Sequence, residues 1–183
     1  MDDGRLANLA AVAALGLTDR VSEAITAESG LDPMSATALL TLLDFTPAGS
    51  VHRLAQGLGL SHSGAVRLVD RLVDAELVGR GPGPDQRSVT ITLTKNGKSL
   101  ARRLRRTRER EVDGALLGLS DRQRRELTKA YELVIANLTR DRLAQRSAGR
   151  SPAGGGLCRM CDFTACGRPD GQCPTARETG YQS

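Results

Sequence analysis

Aromatic side chains are almost missing from this chain: Phe and Tyr contribute two each and Trp none, 2% of 183 residues. That scarcity argues against recognition of single-stranded nucleic acid by base stacking, which relies on aromatic platforms. Long apolar runs are missing too. The longest mostly apolar stretch, Leu6 to Leu17, falls well short of the roughly 20 residues that cross a bilayer, so no membrane anchor is expected. Asp2 and Asp3 stand where a secretory leader would carry positive charge, and no small-residue cleavage site follows; the expected location is the cytosol. Histidine is limited to His52 and His62, and neither a Ser/His/Asp set nor a phosphate-binding glycine loop is found. The expectation is therefore a protein that is not an enzyme.

What is present divides the chain in two. Twenty-six Lys and Arg against 21 Asp and Glu give a net charge of +5. Residues 151–183 hold Arg159, Arg168 and Arg177 against Asp162, Asp170 and Glu178, so the whole excess lies in residues 1–150. All four cysteines lie beyond residue 157. Between the halves, residues 147–156 (Ser-Ala-Gly-Arg-Ser-Pro-Ala-Gly-Gly-Gly) cannot hold a helix and read as a flexible linker. The expected units are residues 1–146, with a nucleic-acid-binding lobe at about 34–98, and a Cys-rich segment at 157–183.

The first unit reads as mainly helical. Leu6, Leu9, Ala10, Ala13, Leu17, Val21 and Ile25 recur at helical spacing up to Gly30. Asp32-Pro33 restarts a helix as N-cap and first residue, and Thr46-Pro47-Ala48-Gly49 breaks it. Ser50 and Ser61 can each cap a helix, separated by a turn at Gly59; the second runs to about Leu77. Ser88-Val-Thr-Ile-Thr-Leu-Thr94 alternates polar and apolar residues as a strand does. With Val78-Gly-Arg80 it makes a hairpin around Gly81-Pro82-Gly83-Pro84-Asp85, which reads as turn or loop. A long helix carrying Leu100, Leu104 and Val112 follows. Another starts at the capping box Ser120-Asp-Arg-Gln123 and carries Leu127, Ala130, Tyr131, Val134 and Leu138 on one stripe.

Two short helices joined at a glycine and followed by a hairpin describe a winged helix-turn-helix. Its second helix enters the major groove, and its hairpin reaches neighbouring phosphate or minor groove. Ser61, His62, Ser63 and Gly64 open that helix, where small polar groups and free backbone N–H suit phosphate and base contact. Arg67 and Arg71 share a face with them, while Ala65, Leu68, Val69 and Leu72 turn inward. Arg102, Arg103, Arg105, Arg106, Arg108 and Arg110 surround their helix too evenly for a stripe and read as a solvated face.

Leu54-Ala-Gln-Gly-Leu-Gly-Leu-Ser-His-Ser-Gly-Ala-Val-Arg-Leu-Val-Asp-Arg-Leu72, Leu77-Val-Gly-Arg80, Pro84-Asp-Gln-Arg87 and Leu93-Thr-Lys-Asn-Gly-Lys98 together resemble a MarR-family transcriptional regulator. The likeness covers roughly residues 5–145. It implies a homodimer whose first and last two helices intertwine, binding a pseudo-palindromic duplex operator as a repressor, and released by a small-molecule effector or an oxidant. Arg80, Asp85 and Arg87 fall in the wing region, where the resemblance implies that the acid orients an Arg entering the minor groove. Two positions depart from the family pattern: Val66 replaces the usual Thr, and Glu76 the usual helix-ending Gly.

Cys158, Cys161, Cys166 and Cys173 are spaced C-x2-C-x4-C-x6-C. Four thiols so close together in a protein expected in the cytosol point to metal rather than disulfides. Zn2+ held by four thiolates is the leading expectation; an iron-sulfur cluster and metal-free redox thiols are the alternatives. The segment is neutral before any thiolate is counted, so direct DNA contact is not expected of it; it would dock on the dimer or on a partner. The competing functional readings are a thiol or metal redox protein using Cys158 and Cys161, and a protein-interaction module acting through the Cys segment.

Overall fold

Helix starts in the computed structural model follow side chains that compete with the backbone for hydrogen bonds. The structure describes residues 3–83, 89–150, 152 and 154–180. After α1 (Asp3–Ser29) the Asp32 carboxylate accepts from the amides of Met34 and Ser35 at 3.1 and 3.0 Å and starts α2 (Pro33–Leu40). A single π-helical turn, Thr41–Phe45, ends in the bond from Thr46 N–H to the Thr41 carbonyl. Ser50 caps α3 (Val51–Leu58) and Ser61 caps α4 (His62–Asp74). Thr94 caps α5 (Lys95–Ala115), and Ser120 with Gln123 forms the expected capping box at α6 (Asp121–Ser147). Beyond lie a 3-10 turn, Leu157–Met160, and the short α7 (Pro174–Thr179).

Three antiparallel strands, β1 (Gly49–Ser50), β2 (Val78–Pro82) and β3 (Val89–Leu93), pair in the order β1-β3-β2. Gly81 and Pro82, expected in the turn, belong instead to β2 and face Thr90 and Val89. β2 is an edge strand, where a residue without an N–H costs the sheet nothing on its open side. The fold is thus mainly helical with a small three-stranded wing, as the sequence pattern predicts.

The core gathers one face from each element of the lobe. Leu39, Leu54, Leu68, Leu72, Ile91 and Leu104 are fully buried and join α2, α3, α4, β3 and α5. Gly97 seats α5: a Cβ there would lie 1.9 Å from the Leu77 carbonyl oxygen. The stripes of α1 and α6 are different, because much of them faces outward. Leu6 is 69% and Leu133 67% exposed, and Val12, Leu15, Tyr131, Val134 and Leu138 are exposed with them.

Two expectations fail here. The stretch 147–156 is not uniformly a free linker: Ser147 ends α6, and Gly156 donates its N–H to the Gly57 carbonyl at 2.8 Å, seating the far end of the stretch on α3. The arginines of α5 are not simply solvated either. Arg103 pairs with Glu28 at 3.0 Å, and Arg105 reaches Asp44 at 2.5 Å and Asp162 at 2.8 Å. Their even spacing around the helix serves several neighbours at once.

Candidate nucleic-acid interface

α3 and α4 meet at Gly59, whose φ of 69° carries the chain into α4 through the left-handed region. The Ser61 hydroxyl accepts from the Gly64 amide at 3.1 Å and lies 3.3 Å from the Ser63 hydroxyl. Ser61, His62 and Ser63 are exposed and Gly64 half-buried, while Ala65, Leu68, Val69 and Leu72 are buried on the opposite side. The first turn of α4 therefore offers small polar groups and unpaired amides to solvent, which is the chemistry an anion meets at a helix N-terminus. Val66, where a hydroxyl would have extended this surface, is half-buried.

The two arginines of α4 differ in their surroundings. Arg67 is exposed. Arg71 lies 3.8 Å from Asp32, the cap of α2. Burial works to raise the Asp32 carboxyl, but the Ser35 hydroxyl and amide, Arg71 and the Met34 amide outweigh it and hold the group below its ordinary value. Arg80, expected as a wing contact, binds Asp70 of α4 at 2.5 Å and so ties β2 to that helix. Asp85 and Arg87 lie outside the described residues. Glu76 takes the left-handed conformation, φ 57°, that a glycine adopts without cost; the Thr94 hydroxyl donates to its carbonyl at 2.8 Å and holds the turn.

Residues 29–88 match the MarR family model. A MarR family protein from Bacillus stearothermophilus is 25% identical, covers 76% of this chain and 99% of its own, and superposes with a TM-score of 0.66. The chain has a MarR-type winged helix-turn-helix fold. RV1404 from Mycobacterium tuberculosis is similar at 23% identity, with 84% and 98% of the two chains covered and a TM-score of 0.62. The MarR family protein RV2887 of the same organism, solved in complex with p-aminosalicylic acid, is 28% identical over 73% of this chain and 98% of its own, with a TM-score of 0.53. None of the curated proteins matches the chain.

Against this MarR-type lobe the C-terminal segment is docked. Thr41 of the π turn donates its hydroxyl to the Arg159 carbonyl at 2.8 Å, and Arg108 donates to the Met160 carbonyl. Phe163 meets Phe45 edge to face, ring centroids 6.4 Å apart, with the Arg168 guanidinium 4.5 Å from the centre of its own ring. α7 returns to α6, where Glu178 pairs with Arg140 at 2.7 Å. Sequence reasoning expected the segment to dock on the dimer or on a partner but named none of the residues that hold it here, Asp44, Arg105 and Asp162 among them. The one legible signal was an acid in a four-cysteine segment of no net charge.

The cysteines are free thiols; Cys158 and Cys173 are buried, Cys161 and Cys166 half-buried. Cys161 and Cys166 interact as side-chain neighbours, as do Cys166 and Cys173, while Cys158 senses Cys161 and Cys173 electrostatically. Burial first, then the neighbouring thiols, push Cys161 far above the ordinary thiol range; burial likewise raises Cys158 and Cys166. Thiols held protonated are poor nucleophiles, which weighs against the thiol oxidoreductase reading. Among the described residues no three His, Cys, Asp or Glu side chains converge closely enough to hold one metal ion. The same residues include no helix long and apolar enough to cross a membrane.

The docked segment also borders a half-open hollow of about 460 Å3 on the MarR-type lobe. Leu17, Val21 and Ile25 of α1, Met34 and Thr37 of α2 and Val112 of α5 form much of its wall, with Met160, Arg108 and Arg159 at the segment's side. Burial, and then the nearby Arg142, lower the Arg159 guanidinium from its ordinary value. An apolar hollow with converging cations suits a small organic anion.

Proposed function

We propose that the chain is a double-stranded-DNA-binding transcriptional regulator that acts as a homodimer and is released from its operator by a small organic acid. One observation carries the reading: the exposed polar N-terminus of α4, with Arg67 on the same helix, stands beside a wing whose strand is tied to that helix through Arg80 and Asp70. α4 enters the major groove, with Ser61, His62, Ser63, Gly64, Arg67 and Arg71 near base edges and phosphates, and Asp85 and Arg87 serve the wing. Exposed apolar side chains recurring at helical spacing on α1 and on α6 supply the dimer surface. Two copies then present their reading helices about 34 Å apart to a pseudo-palindromic site.

The cavity beneath the docked segment supports the effector half of the reading. RV2887, a similar protein, was solved in complex with p-aminosalicylic acid, an aromatic carboxylate, and Arg108 and Arg159 line the present cavity, where their charge favours an anion. The test is selection of duplexes from a random library, followed by affinity measurement over a salt series. A palindromic consensus and an affinity falling steeply with salt are expected. A protein that enriches no sequence and binds with no salt dependence overturns the reading. p-Aminosalicylate added to the selected complex should weaken it; unchanged affinity at millimolar ligand overturns the effector assignment.

A further inference from the structure

The DNA-reading surface proposed above assigns no role to the four cysteines, and their segment has little else to hold it together. From Gly154 to Gly180 the regular structure is one 3-10 turn and the six residues of α7. Its larger apolar side chains are spent on the lobe: Phe163 meets Phe45, and Met160 packs on the main core. A stretch this short, without a core of its own, needs a cross-link to keep one shape. The turns make Cys161 and Cys166 side-chain neighbours, and likewise Cys166 and Cys173, with Cys158 within electrostatic reach of Cys161 and Cys173 at the start of α7. Four sulfur donors without a histidine or carboxylate among them suit a soft metal.

We propose that Cys158, Cys161, Cys166 and Cys173 hold a thiolate-bound metal centre whose occupancy keeps the C-terminal segment clasped on the helix-turn-helix. The thiols do not enclose a single ion as they stand. Ligation draws them inward; side-chain rotation at Cβ provides some of that movement, and the turns at Gly167 and Gly171 provide backbone freedom between the last two ligands. The clasp itself is visible in three sets of contacts. Thr41 holds the Arg159 carbonyl, Arg105 joins Asp44 to Asp162 beside Cys161, and Gly156 holds the Gly57 carbonyl next to the turn that aims α4. Loss of the metal frees the segment and uncovers that turn.

The coupling to operator affinity rests on the DNA-binding reading; the metal site does not. Full-length protein purified without oxygen is analysed for metal and sulfide, and its absorption spectrum is recorded. After chelator treatment it is titrated with Co2+, whose thiolate charge-transfer bands report ligation. Stoichiometric zinc without colour, or iron and sulfide with visible absorption, each supports the centre. Protein that carries no metal and develops no cobalt-thiolate band overturns it, and this titration uses the wild-type chain, so it does not depend on whether Cys166→Ser folds. A folded Cys166→Ser should bind Co2+ at least about tenfold more weakly; equal affinity overturns the four-ligand assignment. Chelation should speed protease cleavage within residues 148–156 and weaken binding to the selected duplex about tenfold or more. Metal bound with both quantities unchanged overturns the clasp. Metal bound with no duplex recognised in either form overturns the DNA reading and leaves the metal centre standing.

Discussion

Gly154 and Gly155 offer a matched pair of substitutions, because the two residues share nearly the same positive φ and differ in what lies around them. Their φ values are 75° and 74°. A Cβ on Gly154 meets nothing within 4 Å; on Gly155 it falls 2.4 Å from the Gly57 carbonyl oxygen and 2.6 Å from the Gly59 nitrogen. Alanine in the left-handed region costs about 1–2 kcal/mol at either site. Gly155→Ala must in addition push the linker backbone away from α3, forfeiting the bond from Gly156 to Gly57, worth about 1 kcal/mol, with the packing around it. The expected gap between the variants is about 1–3 kcal/mol. For a chain of this size that lowers Tm by roughly 2–12 °C more in Gly155→Ala than in Gly154→Ala. Circular dichroism melts measure the gap, and proteolysis within 148–156 locates it. Equal melting temperatures and equal cleavage rates would refute the docking of this stretch on the α3–α4 turn.

Three further outcomes follow from other contacts. Arg105→Ala leaves Asp44 and Asp162 without the guanidinium that joins them, and should cost about 1–3 kcal/mol in a chemical melt, less than a fully buried pair because all three side chains keep some solvent contact. Asp32→Asn keeps the α2 cap but loses the charge. Since the folded carboxyl lies below its ordinary value of 3.8, the wild-type advantage should be present at neutral pH and fade as pH falls below about 4, read from urea midpoints across pH. Arg67→Ala should reduce the slope of log affinity against log salt by about 1 if that side chain meets phosphate, while the melting temperature stays unchanged.

The elements were largely legible because their signals are local. Asp32, Ser50, Ser61 and Ser120 cap helices within three residues of themselves, and the alternation from Val89 to Leu93 is a strand's own period. Boundaries depending on a neighbour were less legible. Gly81 and Pro82 read as turn, yet β3 continues opposite them and draws them into the wing. The docked segment was the least legible feature. Arg105 and Asp162 stand 57 positions apart, and no periodicity in either stretch announces that they meet. The candidate reading face on α4 could be named from its cap and its apolar stripe. That Arg71 and Arg80 each have a carboxylate beside them emerged only when Asp32 and Asp70 were placed in space.

The π turn at Thr41–Phe45 concentrates the docking of the appendage on five consecutive residues. The turn is closed by the bond from Thr46 N–H to the Thr41 carbonyl, one residue wider than an α-helical turn. Thr41 donates its hydroxyl to the Arg159 carbonyl, Asp44 accepts from the Phe163 amide at 3.4 Å, and Phe45 meets the Phe163 ring. A change that disturbs this one turn therefore loosens three contacts of the segment together.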